Sequence, residues 1–202
     1  MPKPPVTRVT TERVVAAATA IVDGDGIDAL SLTRVAADLG VSQPALYNHV
    51  DGLQDLLRRL SLVAREQLVD ALRRAAVGTT RDQAVRAVAE AWRTFVLTHP
   101  GLYAATDRYP VGTDPEIKAA VADVVGVLEA VLQGYDIAPR QRSAAAWSLR
   151  SAFHGFCALE VEGGHPLPQD LDAGYTHLLA LLCAGLQQLE SAPGRGRGRR
   201  QR

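Results

Sequence analysis

Apolar residues recur at helical spacing along almost the whole chain, and the strict alternation typical of strands is nearly absent. The pattern predicts an all-α protein. After a short helix near the start and a pair of short helices between residues 31 and 52, longer helices are expected at about 53–76, 80–98, 114–133, 138–162 and 170–189. The segment 101–113 lacks this periodicity and is predicted to be irregular.

The stretch Ser31–Leu60 has the pattern of two short helices joined by a tight turn. A Ser at position 31 can cap the first helix by accepting a hydrogen bond from a free backbone amide. Gly40 can end that helix in the left-handed conformation without steric cost. Ser42 is expected to cap the second helix, with Leu46 and Val50 facing the first. The stretch therefore predicts a helix-turn-helix, a motif that binds DNA.

The outer face of the second helix carries hydrogen-bonding side chains instead of the Glu and Lys usual on a solvated face. Its residues are Gln43, Ala45, Tyr47, Asn48 and His49. Side chains of this kind can contact base edges in the major groove of DNA. The alternative is an ordinary pair of helices with a glycine in the turn, because such patterns by themselves produce many false positives.

The last two predicted helices are apolar on more than one face. A helix of this kind must bury both faces, so we expect one inside the subunit and one against a second copy. The candidate interface residues are Trp147, Leu178, Leu182 and Leu186. The pattern therefore predicts a homodimer.

Composition narrows the function classes. Of 202 residues, 47% are hydrophobic and the formal net charge is zero. Residues 1–60 hold six Lys or Arg against seven Asp or Glu, which weighs mildly against nucleic acid as a partner. The polar start of the chain and the charges that interrupt its apolar stretches favour a cytoplasmic protein that does not contact a membrane.

An enzyme is the main alternative from another class. His154 and Cys157 lie one helical turn apart, but nothing in the sequence orients the histidine and no oxyanion loop follows. We expect Cys157 and Cys183 to be buried thiols, and we expect no catalytic residue, metal site or cofactor. A small helical enzyme or a protein-interaction module using a pocket within residues 92–156 stays open.

The segment LGVSQPALYNHVDGLQDLL, residues 39–57, resembles the TetR family of bacterial transcriptional repressors. The likeness covers residues 10–60. Farther on, the spacing of Trp147 and His154-Gly155 resembles a subfamily with a Trp-His-Gly signature in its C-terminal domain. The resemblance implies a three-helix DNA-binding head, a rigid connecting helix, and a helical body that binds a ligand and dimerises.

The resemblance also implies residue roles in DNA binding. Thr33 would bind a phosphate, Tyr47 and His49 would face the DNA backbone, and the remaining candidates would face base edges: Gln43, Pro44, Ala45 and Asn48. At Leu53 many relatives carry a phosphate-binding lysine, so backbone amides at Gly52 and Leu53 would have to replace it here.

The expected function is a homodimeric repressor that binds a palindromic operator in double-stranded DNA and is released by an unknown small-molecule effector. The candidate pocket residues are Trp92, Phe95, Tyr103, Tyr109, Phe153, His154 and Phe156. The expected organisation is a disordered arm (1–9), a DNA-binding domain (10–52), a regulatory and dimerisation domain (53–190) and a disordered Arg/Gly tail (191–202).

Overall fold

A computed structural model of the chain describes residues 9–109, 111–163 and 170–191. Every regular element in these ranges is helical, which confirms the all-α prediction. The helices are α1 (Thr11–Asp25), α2 (Leu32–Leu39), α3 (Gln43–Leu46), α4 (Leu53–Ala76), α5 (Arg81–Thr98), α6 (Pro100–Arg108), α7 (Pro115–Val131), α8 (Pro139–Val161) and α9 (Leu171–Ser191). Except for Val9 and Ser191, the predicted arm and tail lie outside the described residues.

The helices are organised in two compact units. The described residues of the first fall within 1–67 and 98–120, so it holds α1 to α3, the first part of α4, α6 and the start of α7. Those of the second fall within 68–97 and 121–202. No helix in the described ranges is long and apolar enough to cross a membrane.

The turn between α2 and α3 forms largely as predicted. The Ser31 hydroxyl accepts a hydrogen bond from the Arg34 amide at 3.2 Å. Gly40 ends α2 with φ +68°, and the following Val41 amide donates back to the Ala36 carbonyl at 3.0 Å. Ser42 occupies the N-cap position of α3 as predicted, but its side chain makes no capping hydrogen bond, and only its carbonyl receives the Ala45 amide.

The segment 101–113 is where the sequence-based prediction fails most clearly. Instead of an irregular stretch, Pro100–Arg108 forms α6, with Pro100 in its first turn, where a missing amide hydrogen costs nothing. The helix packs closely on α1: a Cβ on Gly101 would lie 1.7 Å from the Val22 carbonyl oxygen. Gly101 is therefore a close-packing residue of α6.

Within the first unit, polar contacts hold α6 against α1. The Asp23 carboxylate accepts the Leu102 amide at 2.7 Å and lies 2.8 Å from His99 Nδ1. Asp23 lies in the last turn of α1, which continues to Asp25. These contacts hold α6 against the C-terminal end of α1.

The second unit is held by buried aromatic residues with satisfied hydroxyls. Tyr175 is almost fully buried and donates to the Ala89 carbonyl at 2.7 Å, and Tyr135 donates to Asp82 at 2.5 Å. Burial raises the pKa of both phenols well above the ordinary value, so both stay neutral donors. These bonds join α9 and the segment after α7 to α5.

Candidate nucleic-acid interface

The predicted DNA-contact residues lie on one exposed part of the first unit. We call it the α2–α3 surface, and it comprises Thr33, Gln43, Pro44, Ala45, Tyr47, Asn48 and His49. Tyr47 is 55% exposed, whereas the neighbouring Leu46 and Val50 are buried against the core. The apolar side chains thus anchor the segment and leave its polar side chains facing solvent.

The second helix of the motif is shorter than predicted. Regular α-helix covers only Gln43–Leu46, and the chain then continues in tight turns. The His49 and Val50 amides both donate to the Leu46 carbonyl, at 2.8 and 3.0 Å. Tyr47 and Asn48 therefore project from a turn that is fixed by hydrogen bonds, not from a continuous helix.

One hydrogen bond within this surface connects two candidate residues. The Thr33 hydroxyl at the start of α2 donates to Gln43 Oε1 at 2.8 Å, and both side chains reach solvent. Sequence reasoning treated the two residues separately and gave them different roles. Because the Thr33 hydroxyl binds the amide oxygen of Gln43, the amide nitrogen of Gln43 is the group that can donate to another molecule.

Cations around the α2–α3 surface are largely committed to carboxylates. Arg34 pairs with Asp25 at 2.7 Å, and Arg59 pairs with Asp55 at 2.9 Å. These pairs reduce the positive field available to DNA phosphates, in line with the neutral composition. Any contact with DNA at this surface would therefore rely on hydrogen-bonding groups more than on long-range charge.

Arg58 of α4 pairs with two carboxylates at the start of α7. Its Nε lies 2.5 Å from Asp114 Oδ2, and its Nη2 lies 2.6 Å from a Glu116 oxygen. Hydrogen bonding from Arg58 lowers the pKa of Asp114 from 3.8 to about 2. Asp114 also accepts the Glu116 and Ile117 amides and so caps α7. Sequence reasoning recognised this helix start but could not pair it with Arg58, 56 residues away.

At the start of α4 the structure gives limited support to the idea of phosphate-binding amides. The Asp51 amide already donates to Asp55 Oδ2 at 3.1 Å. Leu53 is 37% exposed, so an apolar side chain faces solvent where many relatives carry lysine. The role of the Gly52 and Leu53 amides stays a prediction.

The candidate ligand-pocket residues are distributed over both units. Tyr103 and Tyr109 belong to the first; Trp92, Phe95, Phe153, His154 and Phe156 belong to the second. Phe153 is fully buried, and its ring centre lies 6.0 Å from that of Trp92. This is the packing expected of a filled apolar core, and a ligand role for these residues stays a prediction.

The candidate dimer residues differ in their exposure. Trp147 is 47% exposed and Leu178 and Leu182 are partly exposed, but Leu186 is only 4% exposed and packs inside the subunit. Helical period alone assigned Leu186 to the outer face, although it belongs to the inner one.

Exposed residues that sequence reasoning missed extend the outer faces of α8 and α9. Leu181 is 59% exposed and Leu159 is 46% exposed. Gly155 and Gly185 lie in the middle of α8 and α9, and a Cβ at either would meet nothing within 4 Å. No Asp, Glu, Lys or Arg occurs within residues 151–159 or 173–189. These two segments are thus uncharged, and each contains a glycine that leaves space on the helix surface.

The suggested Cys–His pair gains no support from its surroundings. Cys157 is fully buried, and burial raises the pKa of its thiol to about 12, so it stays protonated at neutral pH. A search of the described ranges finds no cluster of three or more His, Cys, Asp or Glu that could hold a metal ion.

Comparison with known proteins indicates the class of protein to which this chain belongs. Residues 85–182 match a protein-family model described as "Tetracyclin repressor-like, C-terminal domain". The HTH-type transcriptional regulator Rv0681 of Mycobacterium tuberculosis is 36% identical over 182 residues, which is 90% of this chain and 83% of that protein. A shorter match, 46% identity over 56 residues, links 28% of this chain with 20% of the HTH-type transcriptional repressor DrrR1 of Streptomyces coeruleorubidus.

A solved structure shares the fold over most of the chain. A protein from Rhodococcus sp. RHA1 superposes with a TM-score of 0.73 at 26% identity, covering 91% of this chain and 98% of that chain. The chain belongs to the TetR family of HTH-type transcriptional regulators. It is therefore a DNA-binding regulator of transcription, and the Trp-His-Gly subfamily assignment stays a prediction.

Proposed function

We propose that this protein is a homodimeric repressor that binds a palindromic operator through its α2–α3 surface and is released by a small molecule. The observation that supports DNA contact most strongly is the exposure of Tyr47, Asn48 and Gln43 above a buried Leu46 and Val50. A repressor action is supported by the resemblance and by the match to DrrR1.

Residue roles in the proposal follow from side-chain chemistry. Gln43 and Asn48 carry amides that can pair with adenine in the major groove, and Ala45 or Pro44 can contact a thymine methyl group. Tyr47 and His49 would bind the DNA backbone, which positions the protein without selecting sequence. Thr33 would serve both the backbone and the orientation of Gln43.

The proposed dimer joins the outer faces of α8 and α9. Exposed apolar residues on both helices, together with Gly155 and Gly185, would allow the helices of two subunits to approach closely. A symmetric dimer presents two α2–α3 surfaces, which matches the two half-sites of a palindrome about one DNA turn apart. A ligand that favours a different separation of the two surfaces would release the operator by shifting the population of states.

The proposal is tested by selecting bound fragments from the source genome and measuring the affinity of variants for the selected sequence. Tyr47→Ala should weaken binding to specific and random DNA about equally, because a backbone contact carries no sequence information. Gln43→Ala should cost about 1–3 kcal/mol on the selected sequence and relax the preference at one base position.

Results of the opposite kind would contradict these roles. If Tyr47→Ala and Gln43→Ala both bound the selected fragment like the wild type, the α2–α3 surface would not be the DNA interface. Ser42→Ala is a suitable control, since the Ser42 side chain caps nothing and lies outside the proposed contact set.

A further inference from the structure

A groove in the second unit lies between the last turns of α4 and the exposed side of α7. We call it the α4–α7 groove. Its walls include Ala76 on α4 and Ala122, Gly126 and Ala130 on α7, and its volume is about 570 Å³. Cavities that bind small molecules have volumes of about 300–1,000 Å³. None of the aromatic residues predicted to form a ligand pocket lines this groove.

Packing among the described residues does not explain why a glycine lies in the α7 wall of the groove. Gly126 lies in the middle of α7, and a Cβ there would meet nothing within 4 Å. A glycine in a helix interior costs about 1 kcal/mol relative to alanine. With Ala122 and Ala130 one turn on either side, Gly126 leaves a flat wall suited to a planar ring system.

Gly134 lines the groove, and the main chain at Arg81 packs closely against it. A Cβ on Gly134 would lie 3.1 Å from the Arg81 backbone nitrogen. The Arg81 guanidinium also donates to the Gly134 carbonyl at 3.1 Å and pairs with Glu190 at 2.8 Å. The volume of the groove is that of a small-molecule cavity, so a small molecule is the occupant that fits it best.

Two opposite charges line the groove from its two walls. Arg73 extends from α4 and Asp123 from α7, and both are exposed. Across the part of the chain that the structure describes, neither takes part in a hydrogen bond or ion pair. A guanidinium binds a carboxylate in bidentate fashion, and a carboxylate accepts from a hydroxyl or amine.

We propose that the α4–α7 groove binds a flat aromatic acid that also carries a ring hydroxyl or amine. The rings lie along Ala122, Gly126 and Ala130, the acid pairs with Arg73, and the donor bonds to Asp123. As an effector site the groove rests on the proposed ligand-responsive function. Because Arg73 and Ala76 belong to the end of α4, ligand contact there acts directly on that helix.

The test is titration calorimetry on the full-length protein without DNA. The probe is 6-hydroxy-2-naphthoate, and the matched compound is 2-naphthol, which has the same rings and hydroxyl but no carboxylate. Wild type should bind the naphthoate more tightly by on the order of tenfold, the value of a charged hydrogen bond. Arg73→Gln should remove that preference, and Gly126→Leu should abolish binding of both compounds.

Gly24→Leu is the matched control, because Gly24 is also an exposed helical glycine whose Cβ would meet nothing within 4 Å. It should bind like the wild type, and circular dichroism should show that all three variants are folded. The proposal is overturned if wild type binds neither compound, if it shows no preference, or if Gly126→Leu binds as the wild type does.

The DNA assay separates this inference from the proposed function. If the naphthoate binds in the groove but leaves operator affinity unchanged, the effector role is contradicted. If no variant of the α2–α3 surface alters DNA binding while calorimetry gives the expected pattern, the proposed DNA interface fails and the groove assignment holds.

Discussion

The α2–α3 surface and the outer faces of α8 and α9 are both exposed in the single chain, but their chemistry differs. The first presents a hydroxyl, amides, an imidazole and a phenol from Thr33 to His49, above a buried apolar anchor. The second presents Trp147, Leu159 and Leu181, and its segments 151–159 and 173–189 carry no Asp, Glu, Lys or Arg. Polar groups that stay hydrated suit a wet interface with DNA, whereas uncharged apolar faces suit a dry contact with protein.

The support beneath the two surfaces differs as well. In the first unit, charged side chains hold helices together: Asp23 of α1 accepts the Leu102 amide of α6, and Arg58 of α4 pairs with Asp114. On α8 and α9, glycines with no neighbour within 4 Å occupy the centre of the exposed faces. We infer that the first surface is complete within one chain, whereas the second is completed only by another.

Gly101→Ala tests the support of the α2–α3 surface and should have the largest effect. Its Cβ would lie 1.7 Å from the Val22 carbonyl, so α6 and α1 must separate. Overpacking of this kind should lower the free energy of unfolding by about 3 kcal/mol, measured by urea denaturation. Gly126→Ala meets nothing within 4 Å and should instead be neutral or stabilising by up to about 1 kcal/mol. Equal effects of the two changes would refute the close-packing role.

Gly185→Arg tests the second surface. A Cβ at Gly185 would meet nothing within 4 Å, so the fold should survive, but a charge enters a stretch of α9, residues 173–189, that otherwise has none. Sedimentation should show monomers, and operator affinity should fall on the order of a hundredfold because the two half-sites no longer bind together. Gly126→Arg, at an equally open glycine on α7, should stay dimeric. A dimeric Gly185→Arg protein would show that α9 is not in the interface.

Thr33→Val tests whether the Thr33 hydroxyl orients Gln43 on the α2–α3 surface. Loss of the hydroxyl frees the Gln43 amide, and operator affinity should fall by about 1 kcal/mol. Combined with Gln43→Ala, it should have little further effect, because both changes remove the same interaction. A double-mutant cycle measures this coupling. Full additivity, with an equal loss on random DNA, would mean that Thr33 acts only on phosphates.

Asp114→Asn should give the smallest effect, and one that depends on pH. The native pKa of Asp114 is about 2 against 3.8 for the free group. Its pairing with Arg58 therefore stabilises the fold above pH 3.8, and this contribution is lost as pH falls toward 2. Asparagine retains an oxygen that can cap α7. The melting temperatures of wild type and Asp114→Asn should differ at pH 6 and converge near pH 2; a constant difference would contradict the charge-based account.

Local chemistry was enough to predict most helix ends. Ser31 and Gly40 cap and end α2 as expected, because a side-chain oxygen and a left-handed glycine act within a few residues of their partners. The predicted bounds of α4, 53–76, also agree with the structure. Periodicity also gave the all-α class, which depends on many positions at once.

Features that depend on distant residues could not be predicted. A glycine that follows a proline is typical of a break, and only the contact with Val22 shows that Gly101 is a close-packing residue of α6. Trp92 and Phe153 have the same spacing whether they line a pocket or fill a core, and only the fold packs them together. Leu186 was assigned to the wrong face because two adjacent apolar stripes on α9 share a helical period.

Hydroxyl-radical footprinting of the selected operator with wild-type protein tests the central claim most directly. The account predicts two protected half-sites related by dyad symmetry, with centres about 10 base pairs apart or slightly more, and both should disappear with Tyr47→Ala. A single protected half-site, or an unchanged footprint with Tyr47→Ala, would contradict the account.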